Sequence, residues 1–384
     1  MTDSSWHTDA FPELRAGPPW VMAEMMHSQG AVAEQMLADP PAASGAVAQA
    51  INETVRSGLP VVVCGCGTSE HAAHGIAAIL AEALPRPMRP LVRARPALSA
   101  AFAPDDGLCI GISHDGETRA TVLALEAARQ AGARTAAITN RPGASVARVA
   151  GEVILTPRHD DSWCHTVAYS SALTAGIAVA ARVSPVRALP SAIRALYEQV
   201  LEAPGAAAVA ERLADRRVVL CAGLGPDQTT ARELALKIAE GARMPTVSLE
   251  LETVLHGQLA GHEPADALVL VTLADHRHHP RLARRAAHVA AAAGAIGIPV
   301  AGLVSRSYDR LLARELTPAG RITVQMPPSD AASPTIAALS AGAAGLQALT
   351  LELAHARGTN PDLIRREQAP YREAARLAEE EQGW

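Results

Sequence analysis

Aromatic side chains, excess charge and long apolar runs are all scarce in this chain of 384 residues. Aromatics make up 3% of it, so the core must be aliphatic, as is typical of helices packed on buried strands. The net charge of −5 gives no electrostatic support for binding nucleic acid or an anionic membrane. No apolar run reaches the roughly 18–20 residues of a membrane span. The polar N-terminus shows no signal-peptide pattern, so we expect a cytoplasmic protein.

Cysteine is also rare, with five residues scattered along the chain. Cys64, Cys109 and Cys221 lie in predicted strands, which indicates buried thiols in a reducing compartment. The histidine-rich tract at residues 276–279 (HRHH) is interrupted by an arginine and followed by a proline, which favours a solvated loop. We therefore predict no metal site and no organic cofactor.

Apolar strands alternate with helices twice along the sequence. In the first half LPVVVCGCGTS combines a β-branched run with a glycine turn, and the strands LCIGIS, TAAIT and EVILT follow. The second half repeats this pattern with RRVVLCAGLG, ALVLVTL, PVAGLV and RITVQM. The glycine turn at Gly65 aligns with the one at Gly223, 158 positions further on. Such alternation predicts parallel sheets covered by helices on both faces.

These patterns predict an α/β protein with two tandem doubly wound, flavodoxin-like parallel-sheet domains. A helical lead-in over residues 1–55 precedes a first domain at 56–195, and a second domain at 196–357 precedes a tail at 358–384. Neither glycine turn has the full Gly-x-Gly-x-x-Gly spacing, so dinucleotide binding is not supported.

The stretch GISHDGET, residues 111–118, is a strand-to-helix turn of the kind that holds an anion. Its backbone N–H groups have no partner within the helix, and the helix dipole favours negative charge. Asp115 nevertheless lies in the middle of the turn. Two unit charges about 4 Å apart repel by about 4 kcal/mol at an effective dielectric constant near 20, so an ionised Asp115 opposes phosphate binding.

Five short motifs resemble the SIS (sugar isomerase) domain and, in the second half, the isomerase portion of glucosamine-6-phosphate synthase. They are GCGTS (65–69), ISHDGET (112–118), ITN (138–140), ARELALKIAE (231–240) and HGQ (256–258). The resemblance covers about residues 20–370 and implies two SIS-type domains with a sugar or sugar phosphate bound at the first sheet. No glutamine-hydrolysing segment with a cysteine after Met1 is recognisable, so a glutamine-dependent synthase is not expected.

The resemblance also implies roles for individual residues. Glu240 would move a proton between C1 and C2, His256 would open the sugar ring from the neighbouring subunit of a homodimer, and the tail would close over the site. The tail lysine that forms an imine in the family falls near Ala369, where no lysine is present. The implied substrate-binding residues are Cys66, Gly67, Thr68, Ser69, Ser113, His114, Asp115, Thr118, Asp160, Thr166 and Glu233.

Asp115 leaves three hypotheses open for the phosphate turn. In the first, Asp115 caps the following helix and the ligand is an unphosphorylated sugar. In the second, phosphate binds and a protonated His114, Arg119 or Arg141 compensates the carboxylate. In the third, the site is degenerate and the protein is a scaffold or sensor.

Glu233, Lys237 and Glu240 share one helix face, because they are four and three positions apart. They could form a surface ion-pair ladder, or a catalytic base with a cation that stabilises enediolate charge. Lys237 is the single lysine of the chain. In the loop before the helix that starts near Thr166, Trp163 could be a lid or a packing plug.

The resemblance and these residues together predict an aldose–ketose isomerase or an aminosugar deaminase or deglycase. Glu240 would act as base, with Lys237 and His256 as the other catalytic residues. The alternatives are a non-catalytic sugar-binding or regulatory protein and an enzyme for an unphosphorylated sugar. The expected partner is a small sugar or sugar phosphate, with no nucleic acid and no membrane involved.

Overall fold

The first sheet has five parallel strands in the flavodoxin-like order. In the computed structural model, which describes residues 13, 15–274 and 280–379, the strands run β2-β1-β3-β4-β5 across the sheet. They are β1 (Val61–Gly65), β2 (Val92–Pro96), β3 (Leu108–Ile112), β4 (Arg134–Thr139) and β5 (Glu152–Leu155). Strands β1 and β3 are buried along their whole length, which explains their continuous apolar sequences.

The second sheet repeats the first. Its strands are β6 (Val219–Gly223), β7 (Thr246–Glu250), β8 (Ala267–Thr272), β9 (Val300–Ser305) and β10 (Gly320–Val324). Their order, β10-β9-β8-β6-β7, is that of the first sheet when counted from the β7 edge, and all pairs are parallel. The predicted fold of two doubly wound α/β domains is therefore confirmed.

Helices cover both sheets and precede the first one. The bounds of α1 to α7 are α1 (Val21–Ala38), α2 (Ser44–Arg56), α3 (Thr68–Ala83), α4 (Ala97–Phe102), α5 (Arg119–Gln130), α6 (Ser145–Val149) and α7 (Val167–Val183). Those of α8 to α14 are α8 (Pro190–Leu201), α9 (Ala206–Leu213), α10 (Pro226–Lys237), α11 (Pro280–Ile296), α12 (Arg306–Asp309), α13 (Pro334–Arg357) and α14 (Ala369–Glu379). The two domains meet where α3 packs against α10.

Helix α13 lies at the centre of the molecule. It has 24 residues and a mean hydropathy of 1.4 over its most apolar window, so by length and composition it could cross a membrane. The sequence-based expectation that no run reaches that length was therefore wrong. Since 94% of that window is buried against α7, α8, α9 and α10, α13 is a core helix of this fold.

Several elements were not predicted from the sequence, among them the short helices α4, α6 and α12. Strands β2 and β7 lie at sheet edges, are only partly buried and contain polar residues, so they lack the apolar run that reveals a central strand. Helix α14 lies in the tail, which was described from the sequence only as polar. The tract at 276–279 lies outside the described residues.

Candidate active site at the carboxyl edge of the first sheet

A cavity of about 400 Å³ lies at the carboxyl ends of β1 and β3. Because the chain leaves these neighbouring strands in opposite directions, this edge is the topological switch point where ligands bind in open α/β sheets. Eight of the predicted site residues line the cavity: Cys66, Gly67, Thr68, Ser69, His114, Asp115, Thr118 and Glu240. The other six, Ser113, Asp160, Thr166, Glu233, Lys237 and His256, do not line it.

The turn after β1 requires glycine at two positions. Gly67 has a φ of 55°, a left-handed conformation that other residues rarely adopt. A Cβ on Gly65 would lie 2.6 Å from the backbone carbon of Ser69. The turn can therefore fold tightly enough to place Thr68 and Ser69, the first residues of α3, on the cavity wall.

In the turn after β3, Asp115 binds the turn itself. One Asp115 carboxylate oxygen accepts hydrogen bonds from the Ser113 hydroxyl at 3.1 Å and from the Glu117 N–H at 3.2 Å. Helix α5 begins four residues later, at Arg119, and its N-cap residue is Thr118, so the hypothesis that Asp115 caps the helix is wrong. Ser113, expected at the phosphate, is 1% exposed, and its hydroxyl lies 3.0 Å from that of Thr118.

His114 is held in its neutral form. Its Nε2 accepts a hydrogen bond from the Asp160 backbone N–H at 3.0 Å, so that nitrogen carries no proton. Burial, assisted by the nearby His165, lowers the pKa of His114 to about 3. A protonated His114 therefore cannot compensate Asp115, and neither Arg119 nor Arg141 lines the cavity.

Asp160 and Thr166 serve the start of α7 and do not line the cavity. The Asp160 carboxylate, 2% exposed, accepts hydrogen bonds from the backbone N–H groups of Thr166 (2.6 Å) and Ala168 (3.0 Å). These N–H groups belong to the first turn of a helix, where they have no intrahelical partner. The expectation that Asp160 and Thr166 contact the sugar is therefore corrected: Asp160 satisfies the N-terminus of α7, and Thr166 is its fully buried N-cap residue.

Glu240 brings the second domain to the cavity. It lies in one turn of π-helix, Ile238–Ala242, that continues α10, and such turns often occur at functional sites. Its side chain is 22% exposed and lines the cavity. One of its carboxylate oxygens lies 2.6 Å from the Lys237 ammonium.

Lys237 and Glu233 lie behind Glu240, away from the cavity. Both are fully buried, so a surface ion-pair ladder is excluded for them. The Lys237 ammonium lies 3.5 Å from Glu233, and Glu233 accepts hydrogen bonds from Thr68 (3.1 Å) and lies 2.7 Å from His71 Nδ1. Because Thr68 and His71 belong to α3, this network connects the two domains.

Opposing effects set the pKa values in this network. Burial raises the pKa of Glu240 by more than the adjacent Lys237 lowers it. Burial alone would lower the pKa of Lys237, but Glu240 and Glu233 together raise it above its ordinary value. Burial likewise opposes ionisation of Glu233, but Lys237 and His71 hold its pKa below the usual range. Glu240 is therefore the carboxylate that is easiest to protonate.

The remaining wall of the cavity includes the loop before α7 and the C-terminal segment, which belongs to the tail that was expected to close over the site. Trp163 and His165 line it, as do Ile364 and Arg366, and the Arg366 guanidinium carbon lies 4.7 Å from the centre of the Trp163 ring. Asp362 anchors this segment, since its carboxylate accepts hydrogen bonds from the first two N–H groups of α1 (2.9 and 2.7 Å). Trp163 thus lines the cavity. The C-terminal segment contributes a positively charged side chain, that of Arg366, to the same cavity.

His256 lies on the surface of the second domain. Its side chain is 68% exposed, and its Nε2 lies 2.8 Å from Glu252. It does not reach the cavity of its own chain. Among the described residues, no group of three or more histidine, cysteine, aspartate or glutamate side chains could hold a metal ion.

Known proteins that resemble this chain share parts of both domains. The model of the SIS domain matches residues 60–182, and that of the bacterial phospho-glucose isomerase C-terminal SIS domain matches residues 203–317. The glutamine–fructose-6-phosphate aminotransferase [isomerizing] of Pyrobaculum aerophilum is 30% identical over 236 residues, 57% of this chain and 39% of that protein. Its Halobacterium salinarum counterpart is 28% identical over 225 residues, which are 54% of this chain and 37% of that protein. The chain thus spans less than two fifths of the length of these relatives.

Solved structures match nearly the whole chain. The C-terminal domain of glucosamine-fructose-6-phosphate aminotransferase from Francisella tularensis has a TM-score of 0.73 at 18% identity, covering 91% of this chain and 99% of that one. Tagatose-6-phosphate ketose/aldose isomerase from Escherichia coli has a TM-score of 0.70 at 18% identity, and the match covers 93% of this chain and 98% of that one. At these identities the structures establish a shared fold. With a matching family model in each half, the chain belongs to the SIS-domain family and contains two SIS domains, one after the other.

Proposed function

We propose that this chain is an enzyme that moves a proton between neighbouring carbons of a small sugar, with Glu240 as the base. The observation that carries the proposal is the position of Glu240, which faces the switch-point cavity while Lys237 holds it from behind. Structural relatives named as a ketose/aldose isomerase and as a glucosamine-6-phosphate deaminase (from Thermotoga maritima) support this class of reaction.

The geometry suits an enediolate mechanism. Glu240 takes the proton from C2 of an open-chain aldose, and the electrons shift onto O1 to form the enediolate. A proton then passes from O2 to O1, and the same carboxylic acid returns its proton to C1 to give the ketose. A carboxylate whose pKa is raised by burial is a stronger base than an ordinary glutamate. A deaminase would use the same proton transfer to form an imine at C2, which water hydrolyses to the ketose and ammonia. In either case the Lys237 ammonium offsets the charge that develops beside Glu240.

Asp115 and Arg366 bear on the substrate. Asp115 places negative charge in the turn that faces the ligand, and His114 beside it is neutral, so this turn favours hydroxyl or amino groups. Arg366 is an arginine that also lines the cavity, and its guanidinium is suited to a phosphate. We therefore propose a sugar, phosphorylated or not, whose hydroxyl or amino end faces Asp115.

Replacement of Glu240 tests the reaction. Glu240→Gln keeps the shape of the side chain but removes the base, so turnover of fructose 6-phosphate or glucosamine 6-phosphate should fall by about 10²–10⁴-fold with binding retained. The same change at Glu126, on α5, serves as the control and should leave turnover unaltered. Equal activity of Glu240→Gln and the wild type would exclude Glu240 as the base, and a protein that binds these sugars without turnover would be a sugar-binding regulator.

Calorimetric titration distinguishes the substrate classes. Fructose 6-phosphate and glucosamine 6-phosphate are compared with their unphosphorylated forms on the wild type and on Asp115→Ser. If Asp115 opposes phosphate, the serine variant gains affinity for the phosphorylated sugars, by up to about three decades for two charges near 4 Å. Equal phosphate affinity in both proteins would show that Asp115 does not face the phosphate.

A further inference from the structure

A second cavity, of about 450 Å³, lies at the carboxyl ends of β8, β9 and β10. It is similar in size to the first one and large enough for a monosaccharide derivative. One side of it is polar, formed by Arg306, Ser307, Arg310 and Gln325. The other side is apolar and includes Leu273, Met326, Pro327 and Ala337. Among the described residues, none of those on its wall is acidic.

The two arginines of this cavity have no carboxylate partner among the described residues. Arg306 and Arg310 are four positions apart around α12, and both side chains are exposed. The nearby Asp309 pairs instead with Arg321 at 2.7 Å and with Arg314 at 3.5 Å. Like charges at this spacing repel each other. An anion bound between the two guanidinium groups would relieve that repulsion.

The second domain cannot bind a ligand at its own switch point in the way the first domain does. Asp227 is the repeat counterpart of Ser69 and is 1% exposed. Its carboxylate accepts hydrogen bonds from the backbone N–H groups of Leu273 (3.1 Å) and Ala274 (3.0 Å). The protein thus supplies its own anion at the end of β8, and the open space lies beside β9 and β10.

We propose that this second cavity binds a phosphate monoester of about monosaccharide size. Arg306 and Arg310 form charge-assisted hydrogen bonds to the phosphate, and Ser307 and Gln325 donate to its remaining oxygens. The apolar side covers the organic part of the ligand. Because no residue of the first cavity takes part, this site is independent of the chemistry at Glu240 and is suited to a regulatory ligand.

Titration with glucose 6-phosphate tests the proposal, with glucose and inorganic phosphate as separate arms. In the wild type we expect a binding component that R306Q/R310Q weakens by roughly tenfold or more, because two charge-assisted contacts are removed. The matched control R284Q/R314Q changes the net charge equally through exposed arginines outside both cavities, and it should bind as the wild type does. Circular dichroism melts verify that all three proteins fold. Glucose should not bind to this component, and inorganic phosphate should bind more weakly than the ester.

Three results would overturn the proposal. Identical isotherms for the three proteins would show that the cavity holds no phosphate ester. Equal weakening in the control would show that only the net charge matters. Inorganic phosphate that binds as tightly as glucose 6-phosphate would show that the apolar side contributes nothing to a sugar ligand.

Discussion

At the residue scale, one ammonium group is shared by a fully buried carboxylate, Glu233, and a partly exposed one, Glu240. Lys237 contacts Glu240 at 2.6 Å and Glu233 at 3.5 Å, with no solvent access to its side chain. Only Glu240 faces the cavity and is available to a substrate. The protonation of Glu240 is therefore controlled by a group that a ligand does not touch directly.

This arrangement predicts a specific pH dependence. In the wild type, kcat/KM should fall with decreasing pH through a pKa above the ordinary value of a glutamate, because burial raises the pKa of Glu240 and only its carboxylate is a base. Lys237→Met removes the charge that favours ionisation, so the acid limb of the profile should move to higher pH. The measurement is the kcat/KM profile of both proteins.

A charge-preserving variant separates this effect from a loss of structure. Lys237→Arg keeps a cation beside Glu240, and its acid limb should stay close to that of the wild type. Lys237→Met should also lose about 3–5 kcal/mol of unfolding free energy in urea titrations, because Glu233 remains buried without its cation. An acid limb that is unmoved in Lys237→Met would show that Lys237 does not control Glu240.

Arg366 provides a second prediction at this scale. Because its guanidinium faces the cavity, Arg366→Gln should raise the KM for a phosphorylated sugar by roughly tenfold and leave the KM for the unphosphorylated sugar nearly unchanged. Arg365→Gln is the matched control, since the adjacent guanidinium stacks on Tyr371 at 4.1 Å and does not line the cavity. Equal KM changes for both sugars would instead indicate disturbed packing around Trp163.

The sequence located the turns of the site better than its walls. Thr68 and His114 lie in the turns after two buried strands, and the resemblance to the SIS domain assigned these turns to the site. Asp160 was misplaced because a carboxylate in a loop can satisfy a helix N-terminus as readily as it can bind a sugar. Arg366 was missed because only the anchoring of the C-terminal segment by Asp362 brings it to the cavity.

At the element scale, α13 packs so closely against α10 at Gly342 that a side chain there would have little space. A Cβ on Gly342 would lie 2.2 Å from the hydroxyl oxygen of Thr230, which is itself buried. Gly342→Ala should therefore lower the unfolding free energy by about 1–3 kcal/mol, because the helices must move apart. Gly294 in α11 has no neighbouring atom within 4 Å, so Gly294→Ala should raise it by about 0.5–1 kcal/mol. Urea denaturation of both variants measures the two opposite changes.

The predictability of an element followed its burial. Strands β6 and β8 are buried at every position, and their apolar runs were recognised from the sequence. The edge strands β2 and β7 pair on one side only, so their sequences do not show the same constraint. In each domain the missed strand is the same edge of the sheet, whereas the opposite edge strands, β5 and β10, were recognised from EVILT and RITVQM.

At the scale of the whole molecule, His256, the residue predicted to open the sugar ring, does not line the cavity. That histidine is 68% exposed on the second domain and pairs with Glu252, away from the cavity of its own chain. An exposed catalytic residue can act only if another copy of the chain presents it. We therefore propose a homodimer in which His256 of each subunit completes the cavity of the other.

Complementation between two inactive variants tests this arrangement. Glu240→Gln and His256→Asn should each abolish turnover, and their co-expression in equal amounts should restore about a quarter of the wild-type activity. Half of the random dimers are then mixed, and in each mixed dimer one of the two sites combines an intact Glu240 with an intact His256 from the other subunit. If His256 acted within its own chain, every site would lack one of the two groups and no activity would return. Restored activity that disappears on dilution to monomers, measured by sedimentation at the assay concentration, would identify the dimer as the catalytic unit.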